Sequence, residues 1–405
     1  MPDVYHRTTL AREMARQLLE PKVLDLPLRS GLFLSGLRRT GKTTFLRQDL
    51  IPALETGEWG GRPAVVIYVD LWSNVSIPPA ELILRAARAK LSELENPASA
   101  VWSGLKRLTS AEVAARGFKF KFDLSQLGEE GGATLAEAFT QVVDEAKTDL
   151  VLIVDEVQEC LGREDAQALM QALKAARDAI NLRQSTPGYF LFIGTGSHRS
   201  LVQEMTVRRK EAFAGAVNLD YPVLDEGFVT WVLEQMRAQG IAVQPSPAAA
   251  WQAFRDLGHR PEPFLDALRI LTHTVKPGED TDPMLRAVVW TKRASLADRE
   301  LAVLEDLGPL AQRIFSRIAS HEGEEARGIY SNEALEDYTS ALGTEVRADE
   351  VQTTVIALQQ KNLIRRMGHG AYSITDPFVK QVWLEREAPS AIVPQGGANP
   401  ASPTS

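Results

Sequence analysis

The sequence has 405 residues, a formal net charge of −8, 44% hydrophobic residues and 24% charged residues, as expected for a globular protein of two or three domains. Its single cysteine, Cys160, excludes an internal disulfide and favours a reducing compartment, and no run approaches the roughly 18 apolar residues of a membrane helix. We therefore predict a cytoplasmic protein with no membrane association, whose acidic balance argues against coating of nucleic acid but leaves room for local basic patches.

Residues 30–155 alternate short apolar runs with amphipathic stretches, a pattern that predicts an α/β fold with a parallel sheet flanked by helices. The predicted strands are short and continuously apolar, and they cover residues 31–35, 64–70, 150–154, 189–193 and 216–219. The predicted helices space their apolar residues at helical intervals, and they cover residues 79–94, 135–147 and 165–180, with one more directly after the first strand. The alternating sequence FKFKFDL at residues 118–124 predicts a hairpin or an edge strand.

A glycine-rich segment lies between the first predicted strand and the helix after it. Its residues match the phosphate-binding pattern GxxxxGK[ST], and they are Gly36, Leu37, Arg38, Arg39, Thr40, Gly41, Lys42 and Thr43. The glycines let successive backbone N–H groups point at phosphates, and the following helix adds its partial positive charge. We predict that Lys42 bridges the β- and γ-phosphates of ATP, that Thr43 ligates Mg²⁺, and that Thr44 lies beside the α-phosphate. An incidental glycine-rich turn is the alternative, disfavoured by the strand before it and the helix after it.

Two acidic residues follow the most apolar predicted strand, in the sequence VLIVDE at residues 151–156. The end of this strand places Asp155 at the edge of a parallel sheet where ligands bind. We predict that Asp155 holds the Mg²⁺ and that Glu156 acts as the general base on the attacking water. A surface acidic pair that caps the next helix is the alternative interpretation.

The next predicted strand leads into the sequence GTGSH at residues 194–198. A polar side chain here can reach the γ-phosphate or position the water, and Ser197 and Thr195 are the candidates. A turn-forming role for these residues stays open. His198 is predicted to begin a helix rather than to act in catalysis.

This order of motifs, a phosphate loop, VLIVDE, a strand ending in polar residues and then a helical region, resembles the AAA+ and STAND branch of P-loop ATPases. The sequences GLRRTGKTT and VLIVDEVQE look more specifically like the archaeal-type ATPase family, which usually carries a C-terminal winged helix. The resemblance extends over residues 5–387 and implies a P-loop ATPase core at 1–222, a helical lid at 223–305 and a winged helix-turn-helix domain at 306–388. Residues 389–405, rich in Pro, Gly, Ser and Ala, are predicted to be disordered.

The resemblance also implies roles for arginines outside the loop. Arg260, in the sequence GHRP, is the nearest match to the family's nucleotide-sensing arginine, although its order with the proline is reversed. Arg208 and Arg209 follow a predicted helix where related ATPases place an arginine finger for a neighbouring subunit, which would require a homo-oligomer. A solvated basic cluster is the alternative for this pair. Residues 5–7 lie where relatives contact the adenine.

Residues 307–387 show the pattern of three helices followed by a hairpin, which predicts a winged helix-turn-helix. Its third helix, about residues 348–361, would enter the major groove of duplex DNA. The candidate base-reading residues are Gln352, Thr353, Gln359 and Gln360. The candidate phosphate-holding residues are Lys361, Arg365 and Arg366. Against DNA binding, this segment carries 9 basic and 12 acidic residues, whereas DNA-binding modules usually present a basic face.

Two functional hypotheses follow. The first is a Mg²⁺-dependent ATPase of the AAA+/STAND type that acts as a nucleotide-driven switch or motor on or near DNA. The second is a signalling or scaffold ATPase with slow turnover, whose winged helix binds an unknown protein and which acts by nucleotide-dependent assembly. A small-molecule kinase shares the phosphate loop but is disfavoured by the pair Asp155 and Glu156, which suits water activation.

Overall fold

A computed structural model describes residues 4–57, 61–96, 98–99, 118–208, 210–276, 278–323 and 325–387. The chain divides into two compact units, the first formed by Met1–Arg255 with His259–Arg286 and the second by Asp256–Gly258 with Ala287–Ser405. The domain boundaries predicted from the sequence, after residues 222, 305 and 388, stay predictions. The predicted disordered tail at 389–405 lies outside the described residues.

The first unit contains a five-stranded sheet in the order β2-β3-β4-β1-β5, and every neighbouring pair is parallel. Its strands are β1 Leu32–Ser35, β2 Val65–Asp70, β3 Leu150–Asp155, β4 Phe190–Gly196 and β5 Val217–Asp220. All residues of β1, β3 and β4 are buried, because helices cover both faces of the sheet. The α/β fold predicted from the sequence is confirmed.

Helices pack on both faces of this sheet. They are α1 Thr8–Leu19, α2 Lys42–Phe45, α3 Ile51–Thr56, α4 Pro79–Glu95, α5 Leu135–Ala146, α6 Glu164–Asn181 and α7 Arg199–Val207. A π-helical turn, Leu46–Leu50, joins α2 to α3. Alternate side chains of β3 enter two separate cores. Leu152 and Val154 pack with α4 to α7, whereas Val151 and Ile153 pack with α1 to α3.

Residues 118–123 form neither a hairpin nor an edge strand, so that prediction is wrong. Phe118 is buried in the core. Its ring centroid lies 4.8 Å from that of Phe120, and the centroids of Phe120 and Phe122 lie 5.4 Å apart. The backbone N–H of Phe120 donates to the Glu95 carboxylate at 3.2 Å rather than to a neighbouring strand. The alternation therefore reflects aromatic packing. The short 3₁₀ helix Leu124–Gln126 follows.

Four helices follow β5, as the sequence predicts for this region. They are α8 Glu226–Ala238, α9 Pro247–Asp256, α10 Pro261–Thr274 and α11 Thr281–Asp306. Within the first unit, aromatic side chains join three of these helices: the ring centroids of Phe228 and Phe254 lie 5.2 Å apart, and those of Phe254 and Phe264 lie 5.3 Å apart.

The second unit contains the predicted three helices and hairpin, together with two elements that were not predicted from the sequence. The elements are α12 Pro309–Ala319, β6 Ala326–Arg327, α13 Asn332–Leu342, α14 Ala348–Gln360, β7 Ile364–Gly368, β8 Ala371–Ile374 and α15 Pro377–Glu387. The three strands form an antiparallel sheet in the order β6-β8-β7. Ser331 caps α13 by accepting from the Ala334 N–H at 3.2 Å. The unpredicted elements are β6 and α15.

Candidate functional site

The carboxyl ends of β1, β3 and β4 meet at one edge of the sheet. In the strand register Ser35 lies opposite Gly196, and Asp155 lies opposite Thr195. The loop after β1 and the residues that end β3 and β4 are therefore neighbours, at the edge where parallel sheets bind ligands.

The loop from Gly36 to Gly41 turns sharply before α2 begins at Lys42. Gly41 has φ 87°, a left-handed conformation that glycine adopts without strain, and Arg39 has φ 62°. A Cβ at Gly36 would lie 3.1 Å from the Tyr221 Cβ, so a larger residue here would press the loop away from β5. Inside the loop, the Thr40 hydroxyl donates to the Leu37 carbonyl at 2.9 Å.

Lys42 and Thr43 extend from the first turn of α2 to the end of β3. The Lys42 Nζ lies 3.3 Å from Asp155 Oδ1 and 3.7 Å from Glu156 Oε1, and all three side chains are buried. The Thr43 hydroxyl donates to Asp155 Oδ2 at 2.7 Å. The structure thus brings together the four residues that the sequence predicts to hold phosphate and metal and to activate water.

Both carboxylate oxygens of Asp155 accept hydrogen bonds. Besides Lys42 and Thr43, the hydroxyls of Thr195 and Tyr68 donate to it. Burial by itself raises the pKa of Asp155, but the charge of Lys42 and the hydroxyl donors lower it on balance. Asp155 is accordingly ionised at neutral pH. Burial and the nearby carboxylate raise the pKa of Tyr68, so its phenol keeps its proton.

The backbone of Glu156 turns into the left-handed region, with φ 57°, directly after β3. This turn directs the carboxylate toward the end of β4. There the Ser197 N–H and hydroxyl donate to Glu156 Oε2 at 3.1 and 2.9 Å. The Gln158 amide donates to the same oxygen at 2.6 Å. Glu156 is buried among these donors and is not an exposed helix-capping residue.

Other predicted loop residues lie at the rim of the site. Arg38 is exposed, and its Nε donates to the Ser197 hydroxyl at 3.4 Å. Its guanidinium also lies 5.3 Å from the centre of the Trp72 ring. Arg39 is exposed, with its guanidinium 3.9 Å from the Glu262 carboxylate in the first turn of α10. Thr44 is exposed on α2.

The segment before α1 packs between the loop helix and the chain after β5. The Arg7 guanidinium donates to the carbonyls of Pro222 and Val223, at 2.6 and 3.4 Å. Asp49, buried in the π-helical turn, accepts from the Arg7 N–H at 3.1 Å and lies 2.7 Å from His6 Nδ1. The residues predicted to contact adenine thus lie against the helix that follows the phosphate loop.

The predicted arginines outside the loop have different surroundings. Arg260 is buried at the N-terminus of α10, where the neighbouring His259 ring lies 2.9 Å from the Leu224 carbonyl. Arg208 directly follows α7, is 61% exposed and pairs with Glu204 one helical turn earlier. Arg209 lies outside the described residues. His198 caps the start of α7 by accepting from a backbone N–H, as predicted.

Two residues of the site were not identified from the sequence. The first is Tyr68, the one residue with a hydroxyl group in the apolar strand β2, and this hydroxyl was the only feature of the sequence that could have indicated a role in the site. Gln158 lies two residues after Glu156, a spacing that is unremarkable until the left-handed turn at Glu156 folds the two side chains together.

No family model matches the chain, and no curated protein matches it by sequence. Two solved structures of the ORC2 protein of Aeropyrum pernix are similar to it. The structure of its ADPNP–ADP complexes aligns with a TM-score of 0.51 and 15% identity over 95% of each chain. The ADP form aligns with a TM-score of 0.53 and 14% identity over 96% of each chain. The shared property is the fold. It is a parallel P-loop sheet flanked by helices and followed by a helical region.

The described residues contain no cluster of three or more histidine, cysteine or acidic side chains that could hold a metal by protein ligands alone. None of their helices has the length and apolarity needed to cross a bilayer.

Proposed function

We propose that the chain binds Mg-ATP in the loop Gly36–Thr43 and hydrolyses it to ADP and phosphate. The observation that carries this proposal is the convergence of Lys42, Thr43, Asp155 and Glu156 at the carboxyl edge of the sheet. The buried ammonium group of Lys42 lies beside two carboxylates. A bound polyphosphate would replace these carboxylates as the negative charge that pairs with the lysine. ORC2, whose structures are described as complexes with ADPNP and ADP, supports nucleotide as the ligand.

The donor set fits magnesium. The Thr43 hydroxyl and Asp155 carboxylate offer two hard oxygen ligands only 2.7 Å apart. Magnesium usually binds through one or two protein oxygens and completes its coordination with water and phosphate, so a cluster of protein ligands is not needed. When bound, the metal would neutralise charge on the β- and γ-phosphates.

Glu156 is the proposed general base. It would accept a proton from water as the water oxygen forms a bond to the γ-phosphorus and the bond from that phosphorus to the β–γ bridging oxygen breaks. Asp155 is unsuited to this role, because it would hold the metal and its two oxygens also accept from the hydroxyls of Thr195 and Tyr68. Ser197 would place the base and contact the γ-phosphate or the water. Arg38, Arg39, Thr40 and Thr44 would contribute the remaining loop contacts, and Arg260 would sense the nucleotide from α10.

For the wider role, we propose a nucleotide-driven switch or motor of the AAA+/STAND type that acts on or near DNA through a winged helix in the second unit. Supporting this, α14 exposes Gln352, Thr353 and Gln360, and the hairpin exposes Arg366. These are side chains that can contact base edges and phosphates.

A second candidate, a scaffold ATPase whose second unit binds a protein, is favoured by the acidic start of α14. Asp349 and Glu350 are both exposed in its first turn and would repel DNA phosphates. Arg208 and Arg209 would act as fingers only in an ATP-dependent homo-oligomer.

One set of measurements tests these proposals. Calorimetry with Mg-ATP should give a saturable heat in the wild type, and an absence of heat at millimolar nucleotide would overturn the proposal. ATPase assays with and without duplex DNA separate the two roles, since DNA stimulation that falls steeply with salt supports the first. Light scattering with a slowly hydrolysed ATP analogue would detect nucleotide-dependent assembly, which supports the second if DNA has no effect.

A further inference from the structure

The Glu156 carboxylate is held asymmetrically. Its Oε2 accepts three hydrogen bonds, from the Gln158 amide at 2.6 Å and from the Ser197 hydroxyl and N–H at 2.9 and 3.1 Å. Its Oε1 has no donor within hydrogen-bond distance among the described residues, and the Lys42 Nζ lies 3.7 Å away. One oxygen is therefore anchored and the other faces the phosphate-binding lysine.

Gln158 is buried, and its amide makes this bond at a cost to the fold. Its Oε1 has no hydrogen-bond partner in the part of the chain that the structure describes. An unpaired buried carbonyl is destabilising. Rotating the amide would not relieve it, because the carbonyl would then face the Glu156 carboxylate. The Gln158 side chain therefore has a single hydrogen-bond partner among the described residues, the Glu156 carboxylate.

The end of β4 leaves room for this glutamine. A Cβ at Gly196 would lie 2.1 Å from Gln158 Oε1 and 2.6 Å from a Val202 methyl. Any larger residue at this position would displace Gln158 from Glu156. Two separate positions in the sequence, Gln158 and Gly196, therefore serve the same contact.

We infer that Gln158 is a positioning residue for the general base. It anchors Glu156 Oε2 with Ser197 and leaves Oε1 as the oxygen that accepts the proton. The inference rests on the proposed hydrolysis and adds a residue to it.

The substitution Gln158→Leu tests this role, because it removes the donor while keeping a side chain of similar size. A lost hydrogen bond to a charged group predicts that kcat falls roughly 10- to 100-fold. The Kd for Mg-ATP should stay unchanged, because Gln158 contacts the base alone. Gln171→Leu, which also removes an amide donor, to the Lys210 carbonyl on the surface, should match the wild type.

Gln158→Glu, which keeps the length of the side chain but replaces the amide donor with a carboxylate, should lower kcat at least as far as Gln158→Leu. The Kd for Mg-ATP should again stay unchanged.

An unchanged kcat in Gln158→Leu would overturn the inference, as would equal losses of kcat and nucleotide affinity. If the variant contradicts the inference while the wild type binds and hydrolyses ATP, the proposed function still stands. A wild type without turnover would overturn both.

Discussion

The two ends of β3 each bury an aspartate, and the two carboxyl groups behave in opposite ways. Asp149, just before the strand, accepts from the Tyr189 N–H at 2.6 Å, and burial raises its pKa to about 6. Asp155, at the other end, has Lys42 and hydroxyl donors, and its pKa is lowered despite similar burial. The comparison teaches that burial opposes a charge unless a cation and several donors offset it. At the Asp149 end, the Tyr189 N–H and the charges of Arg62 and Arg29 lower the pKa too little to offset burial.

The largest expected effect comes from Lys42→Ala, which removes the cation that distinguishes the two ends. Without charge-assisted contacts to the phosphates, the Kd for Mg-ATP should rise at least about 100-fold in calorimetry. The pKa of Asp155 should rise toward the behaviour of Asp149. Lys22→Ala, an exposed lysine before β1, is the control. Wild-type affinity in Lys42→Ala would refute the proposed phosphate contact.

Glu156→Gln should separate chemistry from binding at the same end. Because the amide cannot accept the proton, kcat should fall by about 10²- to 10⁴-fold. Nucleotide affinity should persist, since Lys42 and Thr43 remain. Steady-state ATPase rates beside calorimetry measure both quantities. Turnover at the wild-type rate would show that another group activates the water.

At the opposite end, Asp149→Asn should stabilise the protein above pH 6. The folded-state pKa of about 6 lies above the ordinary value of 3.8. The unfolded chain therefore loses its proton first as the pH rises, and stability is lost between about pH 4 and pH 6. This shift corresponds to roughly 3 kcal/mol, which the neutral amide should largely restore.

Denaturant unfolding of wild type and Asp149→Asn at pH 4 and pH 8 measures this difference. Asp306→Asn, an exposed residue, should have little effect at either pH. Equal stabilities of wild type and Asp149→Asn at pH 8 would show that the carboxylate is better solvated than its burial indicates.

The smallest expected effect concerns the second unit, where candidate contacts are exposed. Arg366→Ala, on β7, should weaken duplex DNA binding a few-fold and reduce the salt slope by about one, if the residue holds a phosphate. Arg327→Ala, on β6 at the opposite edge of the same sheet, should leave binding unchanged. Fluorescence anisotropy at several salt concentrations makes the comparison, and equal effects of the two variants would argue against the proposed DNA face.

The fold and the central site residues were predictable because their signals are local. A continuous apolar run such as β3 indicates a strand buried on both faces, and the loop pattern ending in Lys42 fixes a glycine turn and a helix start. Parallel strands then bring their ends together, so Asp155 and Glu156 follow from position alone.

The missed features depend on tertiary contacts. Gln158 acquires its role through the left-handed turn at Glu156. The sequence gives no sign that Asp149 is buried, because its partner, the Tyr189 N–H, is distant in the chain. The aromatic residues 118–122 alternate like a strand, yet their backbone bonds to helix side chains. Helix α15 is an exception. It buries Phe378, Val379 and Val382, and Trp383 and Leu384 pack against the same core. These apolar residues recur at helical spacing, so this helix could have been predicted from the sequence.

The left-handed backbone at Glu156 sets a limit on engineering. A residue with a Cβ in this region is strained by roughly 1–2 kcal/mol relative to glycine. Glu156→Gly would relieve this strain, but it would delete the proposed base and leave the buried donors of Gln158 and Ser197 without their acceptor. Relief of the strain alone therefore does not stabilise the protein, and stabilising substitutions have to be sought at other positions.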